Sequence, residues 1–279
     1  VALTALYMVA EVIGGWLSGS LALLADAGHM LSDVAAQALS LFAIWFAQRP
    51  GDPQKTYGFY RLEVLAALVN GAALLAISVG IIVAAVQRFQ TPQPVQGTIL
   101  TGVALGGLAV NLIALAILNR GRAESINVRG AWLHVLTDTL GSVGAAVAGV
   151  LVWTLGWVWA DPAVSIAIGL LVIYSAWGLL KEVVGVLMEH APPHIDMGQV
   201  RAALAGTPGV RDVHDLHVWC ITTGIEALSC HVVASEDARS QGELLQAMRD
   251  TLHERFGIDH VTIQIEPEGF VEQGPHLHV

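Results

Sequence analysis

Residues 64–87 read VLAALVNGAALLAISVGIIVAAVQ, 24 positions without an Asp, Glu, Lys or Arg. Wound as an α-helix at about 1.5 Å per residue, such a stretch spans the ~30 Å hydrocarbon core of a bilayer. Residues 97–118, 139–160 and 162–180 share the property, and 21–47 interrupts it only at Asp26 and Asp33. Residues 1–18 are apolar apart from Glu11, with no initiating Met and no charged leader region. They read as a first span whose upstream residues are missing, not as a signal peptide. Six transmembrane helices are therefore expected, at about 1–18, 21–47, 61–88, 97–118, 130–153 and 162–187. Pro, Gly and charge mark the breaks at 49–53, 91–94, 119–130 and 157–162.

The composition of the 279-residue chain agrees: 54% is hydrophobic and 13% charged, against about 25% charged in soluble domains. Of the net charge of −10, residues 1–189 carry −2 and residues 190–279 carry −8. That division sets the domains, a membrane domain over 1–189 and a cytoplasmic domain over 190–279. An acidic surface gives no electrostatic basis for binding nucleic acid, which needs clustered Lys and Arg. Cys220 and Cys230 form no CxxC pair, so a disulfide scaffold is excluded and a reducing compartment is expected for that part of the chain.

Arg49, Lys55, Arg61, Arg120, Arg122, Arg129 and Lys181 fall on one side of the expected bundle and only Arg88 on the other. The positive-inside bias then puts both termini in the cytoplasm. Beyond His194 the pattern changes to that of a soluble fold. Residues 196–205 read as a helix ended by Gly206-Thr207-Pro208-Gly209, and 210–222 and 225–234 as strands joined at Thr223-Gly224. Residues 239–256 have helical periodicity, and Val261, Ile263 and Ile265 alternate as a third strand. The order αββαβ predicts a small α+β domain.

Two short runs carry chemistry: His29-Met30-Leu31-Ser32-Asp33 in the second span and His134-Val135-Leu136-Thr137-Asp138 in the fifth. On a helix, residues i and i+4 share a face, so each span offers an imidazole and a carboxylate to one point. Two such helices supply two nitrogens and two oxygens, a set suited to a tetrahedral borderline divalent ion, Zn²⁺ first. One HxxxD on a helix means little. Two carboxylates at bilayer depth, each costing at least ~2.5 kcal/mol with no Lys or Arg in the same spans, point to a cation partner. The runs occupy the middle span of each half of the bundle, in helices of opposite direction, as in inverted-repeat transporters. His of one helix is then expected level with Asp of the other.

The Leu24-Ala25-Asp26-Ala27-Gly28-His29 run with Asp33, residues 56–63, His134 with Asp138, and His214-Asp215-Leu216-His217-Val218-Trp219 resemble the cation diffusion facilitators, especially the bacterial cobalt-zinc-cadmium resistance branch. The resemblance covers nearly the whole chain. It implies a homodimeric, proton-coupled exporter of Zn²⁺, with Cd²⁺, Co²⁺ and Ni²⁺ as alternatives, in a bacterial inner membrane, with a metallochaperone-like cytoplasmic domain. His214, His231, His260 and Glu266 match tail-domain ligand positions, His260 with an offset of one left open, and imply a regulatory metal site there. No metal site is expected in the second-to-third connection, which has Asp52, Tyr57 and Tyr60 but no His.

Other polar residues have plainer readings. Glu11, Asn70 and Asn111 are expected to form interhelical hydrogen bonds or to line the pathway. Asp26 is expected to orient His29 or to sit at a helix end. His276 and His278 read as tail, Cys220 and Cys230 as core. The function expected is exchange of metal for protons, which compete for the same ligands. No resident cofactor and no enzyme activity are expected, and no P-loop or phosphorylation motif points to an ATP-driven pump. An intramembrane metalloenzyme, which needs a vacant coordination position, and a sensor without transport are the rival readings.

Overall fold

In the computed structural model, which describes residues 2–47, 56–119, 126–235 and 240–270, six long helices precede a small α+β domain. The helices are α1 (Ala2–Ser18), α2 (Leu21–Ala47), α3 (Arg61–Gln90), α4 (Gly97–Leu118), α5 (Ile126–Leu155) and α6 (Ala160–Leu187). The last four contain stretches long and apolar enough to cross a membrane by length and composition alone. The break expected at 49–53, residues 120–125 of that at 119–130, Arg239, and the tail with His276 and His278 lie outside the described residues.

The chain forms two compact units, one of residues 1–42 and 66–180, the other of residues 43–65 and 181–279. In the first, Ala22, Ala25, Ala104, Ala145, Ala146 and Ala176 share a core with Leu23, Leu74, Leu100, Ile168 and Val172. Apolar side chains gain little by leaving lipid for such a core, so small residues that let backbones approach supply the contact. The approach of α4 to α5 is one instance: a Cβ on Gly149 would stand 2.8 Å from the Thr101 amide nitrogen.

Asp161, fully buried at the start of α6, is the second organising feature of this unit. Its carboxylate accepts hydrogen bonds from the backbone N–H of Leu21 at 2.9 Å and of Ala22 at 3.2 Å, and from the Ser20 hydroxyl at 2.5 Å. It thereby caps α2, whose first N–H groups have no partner within the helix. Arg88 near the end of α3 completes the charge balance, 3.4 Å from Asp161 and 2.5 Å from the Gly19 carbonyl. Gly19 makes the turn between α1 and α2 with φ +70°.

The second unit carries α7 (Met197–Ala205), β1 (Val210–Thr222), β2 (Ile225–Ala234), α8 (Gln241–Phe256) and β3 (His260–Glu266). The sheet order is β1-β2-β3, with β1 and β2 antiparallel and β2 and β3 parallel. Asp196 is the cap of α7, not its first residue, accepting from the N–H of Gly198 and Gln199. Ser240 caps α8, and Gly257 ends it at φ +70°. One sheet face packs Val213, Leu216, Val218, Leu228, Cys230 and Val232 against Val200, Leu204, Leu244, Met248 and Leu252 of the two helices. Cys230 lies wholly within this core, and burial pushes its thiol up to about 12.

Asp161→Ala removes the cap of α2 and leaves Arg88 without its carboxylate. Thermal unfolding of the detergent-solubilised protein is expected to show a loss of about 3 kcal/mol, the usual scale for breaking a buried pair from one side.

Candidate metal centre

The two HxxxD runs meet where α2 and α5 cross. His29 Nε2 stands 3.2 Å from Asp138 Oδ1, and His134 Nε2 stands 3.4 Å from Asp33 Oδ2 and 3.7 Å from Asp138 Oδ2. Numbers rise along α2 as they fall along α5, so the helices cross antiparallel and each His is level with the other helix's Asp. The imidazole centroids are 6.0 Å apart. Ligands about 2.0 Å from a tetrahedral Zn²⁺ are about 3.3 Å from one another, which is the spacing of these cross-helix pairs. His29, Asp33 and Asp138 each offer one ligand atom within 4.8 Å of the others.

Neighbouring polar residues hold the crossing in register. Asn70 on α3 donates to Ser32 Oγ at 2.8 Å, and Asn111 on α4 donates to Ser142 Oγ at 3.2 Å. Both asparagines therefore make the interhelical bonds their position in apolar spans suggests. Asp26 acts on His29 through its charge, while its hydrogen-bond partners are Glu11 and Ser142. The reason is local, since His29 points its Nε2 across to α5. Exposure also grades across the site, from 48% for the His134 side chain to 13–18% for His29, Asp33 and Asp138.

A second cluster lies on the sheet of the other unit. His214 of β1 is paired directly with His231 of β2, their rings 5.4 Å apart. Glu266 of β3 reaches both, Oε2 to His214 Nε2 at 3.3 Å and Oε1 to His231 Nδ1 at 3.1 Å. The alternation of β3 puts Val261, Ile263 and Ile265 on the core side, so Glu266 faces away from the helices and is buried under the two imidazoles.

His260 is not brought to this cluster. It pairs with Ala227 and stands six residues from Glu266, about 20 Å along an extended strand. Its ring neighbour is Tyr57, at 5.6 Å. In its place the structure supplies Asp215, 3.8 Å from His231 Nε2 and 2.9 Å from His217 Nε2. Strict alternation would set Asp215 opposite His214. The β1–β2 register shifts between His214 and His217, and Asp215 adopts φ +48°, so the alternation fails there. The His-Asp-Leu-His run was the only signal in the sequence for this carboxylate.

Asp215 is held below the usual carboxylate range, chiefly by its hydrogen bond with His217 and further by His231 and His214. In His217→Ala the Asp215 carboxyl should titrate at higher pH. Carboxyl-carbon NMR of the full chain with labelled Asp, assigned with Asp215→Asn, measures the change.

Residues 1–188 match the model of the cation efflux transmembrane domain, and residues 192–268 that of the cytoplasmic domain of cation efflux proteins. A cadmium, cobalt and zinc/H(+)-K(+) antiporter of Bacillus subtilis is 44% identical over 266 residues, 94% of this chain and 85% of the relative. The zinc transporter ZitB of Yersinia pestis is 46% identical over 268 residues, 95% of this chain and 85% of the relative. Among solved structures, the metal-bound C-terminal domain of the CzcD transporter from Cuprividus metallidurans is 39% identical, covering 26% of this chain and 99% of its own, with a TM-score of 0.25.

Proposed function

The chain belongs to the cation efflux family of integral membrane transporters, and from that premise we propose that it exports Zn²⁺ from the cytoplasm in exchange for protons. His29, Asp33, His134 and Asp138 are the proposed transport ligands. The observation that supports this most is the cross-helix pairing of two imidazoles and two carboxylates at tetrahedral-ligand spacing within apolar helices. Cd²⁺, Co²⁺ and Ni²⁺ accept the same donor atoms, and the zinc, cadmium and cobalt in the relatives' names make them alternative cargoes.

Coupling follows from the donor atoms. An imidazole ligates metal only when its nitrogen is unprotonated, and a carboxylate only when ionised. With the ion gone, a proton on His29 or His134 faces a carboxylate at hydrogen-bonding range, at Asp138 or Asp33. Protons thus stabilise the metal-free site and metal displaces them, so a site that opens alternately to the two sides exchanges one for the other. The chain is a transporter and not an enzyme; the balanced four-donor set also leaves no position for an activated water.

We place both termini in the cytoplasm of a bacterial cell whose plasma membrane holds the bundle, on the seven-to-one distribution of Lys and Arg. The domain boundary is proposed between residues 189 and 190. We further propose a homodimer in which His214, His231 and Glu266, with Asp215 nearby, bind a regulatory divalent ion. The −8 charge of residues 190–279 makes two tail domains repel. A bound cation lowers that repulsion and favours the associated arrangement by its greater affinity for it.

Asp33→Ala or Asp138→Ala should abolish Zn²⁺ flux in vesicles of purified protein under an imposed pH gradient while leaving membrane insertion intact. Collapsing the gradient with an ionophore should reduce wild-type flux, and metal movement should carry protons the other way. Normal flux in either variant overturns the tetrad, and metal flux without proton counter-movement overturns the exchange.

His231→Ala is expected to raise the metal concentration needed for transport and to leave residual flux, unlike the tetrad variants. Complete loss of flux would overturn a regulatory role, as would unchanged metal dependence.

A further inference from the structure

The antiparallel register that joins His29 to Asp138 and Asp33 to His134 extends one step further, from Asp26 of α2 to Ser142 of α5. That step is three residues along α2 and four along α5, about 4.5 and 6 Å from the tetrad. On the α1 side, the Glu11 carboxyl lies within hydrogen-bonding reach of Asp26. Glu11 is 1% exposed and Asp26 4%. Asp161, the other deeply buried acid of this unit, has Arg88, a hydroxyl and two N–H groups. Glu11 and Asp26 have no Lys or Arg partner among the described residues. Of the two Glu11 oxygens, Oε2 is buried with no hydrogen-bond partner among the described residues.

Neighbouring groups do not relieve this. The Tyr7 hydroxyl stands within hydrogen-bonding reach of Glu11 as well as of the Val103 carbonyl, and its one proton cannot serve both. Ser142 Oγ accepts from Asn111, which leaves its own proton for Asp26. Two adjacent buried carboxyls with an unused oxygen cannot both ionise in an apolar bundle unless a cation enters, and without one they are neutralised by holding protons. Glu11, Asp26 and Ser142 offer oxygen atoms, whereas the tetrad offers two nitrogens. Imidazole suits a borderline ion such as Zn²⁺, while carboxylate and hydroxyl oxygens suit harder ones, so the ion is held more loosely here than at the tetrad. The place is also the closed side of the crossing, since exposure falls from 48% at the His134 side chain to 4% at Asp26.

We propose that Glu11 and Asp26 form a second, oxygen-only cation station one helical turn from the tetrad, which takes the transported divalent ion on its way to the α1–α2 turn. The proposal rests on the tetrad reading and adds a release step to it. Loading depends on His29, Asp33, His134 and Asp138, while departure depends on a carboxylate pair that holds the ion less tightly than the tetrad does.

Cd²⁺ is the probe. In the full chain carrying Asp33→Ala, His134→Ala and His231→Ala, which disable the tetrad and the tail cluster, ¹¹³Cd NMR should retain one resonance typical of oxygen-only coordination. Adding Glu11→Gln, which keeps the shape and removes the charge, should abolish it. In the otherwise native chain, Glu11→Gln should leave Cd²⁺ affinity within about twofold of wild type yet slow efflux by about tenfold or more, and Glu11→Asp should restore part of the rate, the pattern of an interaction that serves a step after loading. A missing Cd²⁺ resonance overturns the station even if Glu11→Gln is slow, because the pair then holds only protons or packs the bundle. A resonance that survives Glu11→Gln overturns it too, as does unchanged efflux. Failure of the tetrad reading is seen separately, as normal export by the chain carrying only Asp33→Ala and His134→Ala.

Discussion

A carboxylate inside an apolar bundle must be neutralised where it stands, and that constraint fixes the membrane unit. Asp161 meets it with Arg88 and the open N-terminus of α2, and so ties the α1–α2 turn to α3 and α6. Asp33 and Asp138 meet it with the imidazole of the opposite helix. Because each helix supplies a His and an Asp one turn apart, only an antiparallel crossing at one register satisfies both pairs. A slip of a single residue rotates a helix by about 100° and would carry a carboxylate away from its imidazole, so the pairing of these four side chains also selects the packing.

Small residues make that crossing reachable. The shared core around α2, α4 and α5 is rich in Ala, with Gly149 seated against Thr101. Larger side chains at Ala25 or Ala145 would hold the axes apart by more than the few tenths of an ångström that a ligand set tolerates. Ser32 with Asn70, and Ser142 with Asn111, add hydrogen bonds beside the two carboxylates. Such bonds contribute modestly to stability in a membrane, averaging about 0.6 kcal/mol, but they are directional, and direction is what the crossing requires.

Much of this was legible in the sequence because its signals are local. An uncharged run of about 20 residues announces a membrane helix whatever surrounds it, and an i, i+4 spacing places His and Asp on one face by helix geometry alone. The antiparallel pairing of His29 with Asp138 followed from the positions of the two runs within the halves of the bundle. What was not legible depended on departures from regularity or on distant partners. Alternation in β3 left Glu266 and His260 on one face but said nothing of the ~20 Å between them, and β1 lost alternation at Asp215, where the backbone turns to φ +48°. Asp161 looked like part of a break because its partners, Leu21, Ala22 and Arg88, come from elsewhere in the chain. The spacing of Asp26 and His29 on α2 is legible, but the hydrogen-bond partners of Asp26, Glu11 and Ser142, come from other helices.

The two proposed metal sites differ in what holds their ligands together, and the difference bears on what each can do. His214, His231 and Glu266 sit on three strands joined by backbone hydrogen bonds, with His214 directly opposite His231. Separating those ligands means breaking the sheet, so a metal bound there leaves mainly by dissociation, as suits an ion that reports its own concentration. The tetrad is divided between α2 and α5, which have no backbone bond between them. An ångström or two of relative movement lengthens the cross-helix pairs beyond ligand distance while each helix keeps its internal hydrogen bonds. A transport site has to bind on one side and let go on the other, and no single affinity serves both tasks. Splitting the ligands across two bodies that can shift lets conformation change the affinity, while protons on the freed imidazoles neutralise the carboxylates that the departing ion leaves behind.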